Sequence, residues 1–116
     1  MKISQIASLL EAEVLCCEHH LDSEVNSACG SDMMSDVLAY VKDQAVLLTG
    51  LVNAQVIRTA DMMDMRCIVF VRNKKPSAEM LDLAKESGIV VMTTQRRMYE
   101  ACGILYFNGL RPHKTV

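Results

Sequence analysis

Ala45-Val46-Leu47-Leu48-Thr49, Cys67-Ile68-Val69-Phe70-Val71 and Ile89-Val90-Val91-Met92-Thr93 decide the fold. None of these runs alternates apolar with polar residues, so each suits a strand buried on both faces. Each is followed by a polar or glycine turn and then by an amphipathic stretch of helix length. Strands alternating with helices in this way build a parallel sheet through crossovers. The expected architecture is one α/β domain, a mainly parallel sheet of four to five strands flanked by helices.

Toward the N-terminus, Ile6, Leu9 and Leu10 share a helical face that Ser4 is placed to cap, and Glu13-Val14-Leu15-Cys16-Cys17 reads as a short strand. Glu18 to Gly30 is polar without a period and is expected to be the longest loop. Ser31 is a natural N-cap for a helix with the stripe Met34, Val37, Leu38 and Val41, and Asp32 favours its positive end. Asn53 is placed to cap a helix burying Val56, Ile57 and Ala60, with Met62, Met63 and Met65 crowding its end. Those three methionines fit a plastic partner surface and irregular core space equally well.

Further on, Pro76 suits the first turn of a helix that buries Met80, Leu81, Leu83 and Ala84 and stops at Gly88. Thr93 or Thr94 would cap a final helix with Met98, Ala101, Cys102 and Leu105 inward; Gly103 within it suggests close backbone packing, and Gly109 ends it. The domain is thus expected to span 1–110, with a flexible tail at 111–116.

Composition removes several function classes. A chain of 116 residues supports one self-sufficient core. With 51% hydrophobic but only 4% aromatic residues, and a net charge of −2, it offers neither a base-stacking platform nor a basic footprint for nucleic acid. No apolar stretch approaches the roughly 20 residues of a membrane span. Five cysteines without a secretory leader argue for reduced thiols and a cytoplasmic protein.

Ligands of an open parallel sheet bind outside the carboxyl ends of its strands. Those ends carry Thr49, Gly50, Arg72, Asn73, Thr93 and Thr94, with Ser31, Asp32, Ser35, Asp36 and Asn53 at the adjoining helix starts. Hydroxyls, amides and a guanidinium on one rim suit a small anion or nucleotide, although each residue also has an ordinary role as a cap or turn former. Cys16, Cys17, His19, His20 and Cys29 form a second cluster of metal-ligand types. Adjacent strand residues point to opposite faces, however, so Cys16 and Cys17 do not easily share one ion. Asp32 and Asp36, four residues apart on one helix, would stand side by side as an acid and base pair or around a divalent cation. A Ser-His-Asp order, P-loop, Gly-x-Gly-x-x-Gly and His-Glu-x-x-His are all absent, so no catalytic residue is assigned.

Gly30-Ser-Asp-Met-Met-Ser-Asp-Val-Leu-Ala39, Leu48-Thr49-Gly50, Pro76-Ser-Ala-Glu-Met-Leu-Asp-Leu-Ala84 and Gly88-Ile-Val-Val-Met-Thr-Thr94 together resemble the DRTGG-domain family, in its small stand-alone members. The resemblance covers about residues 1 to 110. It implies an α/β domain similar to the N-terminal domain of HPr kinase, also found between CBS domains in regulatory pyrophosphatases, with a regulatory or dimerising role. It also implies a redox or hydrogenase-associated partner protein. The Asp-Arg-Thr-Gly-Gly string itself is missing: Leu51 and Val52 follow Thr49-Gly50, and Arg72-Asn-Lys-Lys75 precedes Pro76.

Two functional readings follow. The first is a non-enzymatic regulatory or assembly module, homodimeric, sensing a small anionic ligand or nucleotide at the strand rim, with cofactors unknown and no nucleic acid or membrane as partner. The alternative is a metal- or redox-responsive protein using Cys16, Cys17, Cys29, His19 and His20. A small hydrolase or transferase using Asp32 and Asp36 ranks third.

Overall fold

The computed structural model describes residues 1–41 and 44–112. Among the described residues there are five strands and five α-helices, alternating from the second strand onward. In order they are α1 (Ile3–Leu10), β1 (Glu13–Cys16), β2 (Ser27–Gly30), α2 (Met34–Tyr40), β3 (Ala45–Thr49), α3 (Ala54–Met62), β4 (Cys67–Phe70), α4 (Ala78–Ser87), β5 (Val90–Thr93) and α5 (Met98–Phe107). The sheet runs β1-β5-β4-β3-β2. Strands β2 to β5 are parallel, and only β1 is antiparallel, on the edge beside β5. The mainly parallel sheet expected from the sequence is therefore present.

The apolar runs explain this order. Every residue of β3, β4 and β5 is buried, because helices cover both faces of the central strands. The three crossovers β2-α2-β3, β3-α3-β4 and β4-α4-β5 step the same way across the sheet. Right-handedness then puts α2, α3 and α4 on one face and leaves the other to α1 and α5, which pack on each other. No helix among the described residues is long and apolar enough to cross a membrane.

Several local expectations change. The segment Glu18 to Gly30 is not a free loop. It holds a 3-10 turn at Glu18–His20, and hydrogen bonds from Ile3 to Ser23 and from Ser4 to Leu21 pin it to α1 before it forms edge strand β2. Those partners lie about twenty residues away, beyond the reach of any local pattern. Ser4 lies inside α1, which starts at Ile3. Pro76 stands before Ser77, whose hydroxyl accepts from the Met80 amide and caps α4. Asn53 caps α3 by accepting from the Val56 amide, and Gly88 ends α4 at φ 70°, both as expected. Among the described residues none comes within 4 Å of a Cβ placed on Gly103, so it is not a close-packing position among them. Met65 is buried in the core, whereas Met62 is exposed.

Beyond α5, Leu110 is buried and the Arg111 guanidinium lies 4.1 Å from the centre of the Tyr106 ring. The remaining expected tail, 113–116, lies outside the described residues.

Candidate functional site

The carboxyl ends of β2 to β5 meet on one rim, and hydrogen bonds between successive loops organise it. After β2, Ser31 accepts from the Met33 amide at 3.0 Å, and α2 starts only at Met34. Ser31 is thus a turn residue rather than a helix cap, and Asp32 lies outside the helix. The expected Asp32 and Asp36 pair on one helical face does not form. Asp32 instead reaches the next loop, where its Oδ1 accepts from the Gly50 amide at 2.7 Å and from the Thr49 hydroxyl at 3.0 Å. The carboxylate therefore ties β2 to β3 through two charge-assisted bonds. Ser35 and Asp36 are exposed on α2.

The loop after β4 is the strained part of the rim. Arg72 and Asn73 have φ of 59° and 57°, two consecutive left-handed residues that are not glycine. Bonds to the loop after β5 hold them there: the Arg72 amide donates to the Arg96 carbonyl at 2.8 Å, and the Asn73 amide to the Thr94 carbonyl at 2.7 Å. The Thr93 hydroxyl adds a bond to the Lys74 carbonyl at 2.6 Å. Conformations of this kind persist only where the surroundings over-determine them, and they gather at ligand sites.

This turn projects Arg72 across the rim. A Cβ placed on Gly50 would meet the Arg72 Cζ at 3.1 Å and Nε at 3.2 Å, so the guanidinium lies directly over Gly50 and a side chain there would displace it. Arg72, Asn73, Gln95 and Arg97 line an open cleft of about 650 Å³. Among the described residues neither Arg72 nor Arg97 is ion-paired. The neighbouring cleft of about 390 Å³ differs in charge, because its Arg96 is held by Glu11 at 3.1 Å and Glu100 at 3.4 Å. Two free guanidinium groups flanked by two amides can grip an anion of phosphate type and still offer hydrogen bonds to a base or sugar.

The structure thus brings Arg72 and Asn73 to one cleft, sets Gly50 beneath the Arg72 guanidinium, and gives Asp32 and Thr49 the task of bracing the turn at Gly50. Thr93 and Thr94, each nearly buried, spend their hydroxyls on the carbonyls of Lys74 and Leu10 and cap no helix. Asn53 serves α3. Sequence reading missed Gln95 and Arg97 as site residues, although Arg96-Arg97 follows directly on a strand end, where a basic pair is a signal.

The cysteine and histidine cluster does not assemble. Cys16 lies on β1 and Cys29 on β2, at opposite edges of the five-stranded sheet. The Cys16 thiol faces the Ile89 carbonyl, and burial, helped by neighbouring Cys17, pushes it up to about 11. His19 and His20 lie against each other at a 42° tilt with ring centres 4.2 Å apart. Among the described residues no group of three or more metal-ligating side chains is arranged to hold an ion. Burial also raises the thiols of Cys29, Cys67 and Cys102, which keeps them in the unreactive protonated form at neutral pH.

Comparison with known proteins bears on this geometry. The model of the DRTGG domain matches residues 5–106. No curated protein sequence matches the chain. Among solved structures, the chain is similar to the CBS and DRTGG domains of the regulatory region of Clostridium perfringens pyrophosphatase, complexed with its activator, diadenosine tetraphosphate. The TM-score is 0.75 at 18% identity, covering 90% of this chain and 45% of that one. The likeness establishes the fold, and this chain spans less than half of that structure. It runs to the pyrophosphatase regulatory region and not to the HPr kinase domain that the sequence resemblance also implied. With the family pattern extending from α1 to the end of α5, the chain belongs to the DRTGG domain family.

Proposed function

We propose that this chain is a non-enzymatic regulatory module, acting as a homodimer, that senses an anionic ligand of the nucleotide or polyphosphate class in the cleft between Arg72 and Arg97. One observation carries the reading: two arginines that have no ion pair among the described residues, with two amides, line an open cleft at the carboxyl ends of parallel strands, and a doubly left-handed turn holds Arg72 in place. Guanidinium groups favour phosphate because their planar forks match its oxygens. The activator held by the pyrophosphatase regulatory region, diadenosine tetraphosphate, has this chemistry and supports the choice of class. In this reading the module works in the cytoplasm and passes its liganded state to a partner protein, a redox or hydrogenase-associated protein being the class that the resemblance implies.

The test is a thermal-shift titration with ATP, diadenosine tetraphosphate, pyrophosphate and zinc, on the wild type and on Arg72→Ala, Arg97→Ala and the distant Lys85→Ala. A ligand at 100 times its dissociation constant adds about 2.7 kcal/mol, enough to raise the midpoint by several degrees. We expect a shift with a phosphate ligand that is lost in both arginine variants and kept in Lys85→Ala. A shift with zinc alone, or a phosphate shift that survives both arginine variants, would reject the reading.

A further inference from the structure

Helix α5 breaks the usual rule for a surface helix. Its sequence, Met98-Tyr-Glu-Ala-Cys-Gly-Ile-Leu-Tyr-Phe107, carries one charged residue and is otherwise almost entirely apolar, composition expected of a helix covered on all sides. The described residues cover only one side of it: Ala101 and Leu105 are buried, whereas Tyr99 is 92%, Tyr106 54% and Phe107 87% exposed. At 3.6 residues per turn, Tyr99, Gly103, Tyr106 and Phe107 form one continuous outward stripe, while Cys102 turns its sulfur toward Gly30 of β2. The three aromatics alone leave roughly 450 Å² in water, at about 200 Å² for a large aromatic side chain. Patches of that size mark interaction surfaces.

We infer that this stripe is the interface with a second copy of the chain, two α5 helices crossing in antiparallel fashion at Gly103. The inference rests on the homodimer reading above and names the surface that makes the dimer. The stripe is self-complementary. Tyr99 and Phe107 each stand four residues from Gly103, one turn before and one turn after, on a single ridge of i, i+4 neighbours. A two-fold axis through Gly103 therefore lays Tyr99 of each copy against Phe107 of the other, an isologous arrangement in which one patch satisfies itself.

Gly103 supplies the gap this needs. Among the described residues nothing lies within 4 Å of a Cβ there, so the absence of a side chain serves no contact among them. It does let a second ridge approach to the short end of the 8–10 Å range of packed helices. The area is also of the right order: a standard interface takes about 800 Å² per partner, and the aromatics provide more than half of it before the rest of the stripe is added. An unrelated partner would have no reason to match a ridge symmetric about its own glycine.

The experiment is sedimentation equilibrium of the full chain, wild type against Phe107→Glu, Tyr99→Glu and Gly103→Arg, with circular dichroism melts alongside. All three positions are exposed in the monomer, so each variant is expected to keep its fold, and Gly103→Arg provides an independent blocking change if either glutamate variant loses it. We expect a wild-type dimer whose dissociation constant rises about 30-fold or more in each variant, the loss typical of a buried interface anchor. A wild-type dimer that persists unchanged in the folded variants would overturn the α5 interface while leaving the homodimer reading standing. A wild-type monomer at hundreds of micromolar would overturn both.

Discussion

Replacing Arg72 with glycine should make the protein more stable and less able to bind its ligand. The φ of 59° at Arg72 costs an L-residue about 1–2 kcal/mol relative to the right-handed regions. Glycine escapes that cost but loses about 0.5–1 kcal/mol more backbone freedom on folding. The net gain is then about 0.5–1 kcal/mol, or roughly 2–4 °C in the midpoint for a domain of this size. Little opposes it: the backbone bond from the Arg72 amide to the Arg96 carbonyl survives the change, and the side chain is exposed and has no ion pair among the described residues. Arg72→Ala is the control, since it removes the guanidinium but keeps the strained conformation, so its midpoint should stay close to the wild type. Thermal and urea melts without ligand, followed by titration with diadenosine tetraphosphate, separate the two effects. A midpoint for Arg72→Gly below that of the wild type would refute the reasoning, because the side chain would then be stabilising the fold instead of being held in strain for a ligand.

Three further outcomes follow from the same geometry. Asp32→Ala should cost about 1–3 kcal/mol in urea melts, because it removes the acceptor for both the buried Thr49 hydroxyl and the Gly50 amide. Gly50→Ala should leave stability nearly unchanged but weaken phosphate binding several-fold in calorimetry, since the new methyl displaces only the flexible end of Arg72. The Cys16 thiol is raised from 9.0 to about 11, so the folded state holds its proton more tightly than the unfolded chain. Its stabilising effect is complete below pH 9 and lost as pH rises toward 11, and urea midpoints across that window should fall less steeply in Cys16→Ala than in the wild type.

The parallel sheet was legible because β3, β4 and β5 are unbroken apolar runs, and such runs fit only strands covered on both faces. Caps that act within three residues, Asn53 and Ser77, obey the same local chemistry, although only Asn53 was read as a cap. Strand β2 was not legible: Ser27-Ala-Cys-Gly30 has no pattern of its own and becomes a strand because β3 offers it a ladder and α1 pins the segment before it. The rim was half legible for a related reason. Strand ends pointed to Arg72 and Asn73, but the turn that joins them to Gln95 and Arg97 is set by bonds between loops some twenty residues apart. Thr93 and Thr94 misled as caps because a hydroxyl after a strand reads the same whether it meets a helix amide or, as here, the carbonyl of Lys74 in a neighbouring loop and of Leu10 at the end of α1. Gly103 misled in the opposite direction, since its open side faces away from the core.

The most direct test of the Arg72–Arg97 cleft is an amide-resolved NMR titration of the wild-type chain with diadenosine tetraphosphate, repeated with pyrophosphate. The account predicts saturable shifts centred on Arg72, Asn73, Gln95 and Arg97, with smaller ones at Gly50 and none around Cys16 and His19. Shifts centred instead on the groove between α3 and α4, around Asn53 and Ser77, or no saturable shift at millimolar ligand, would contradict it.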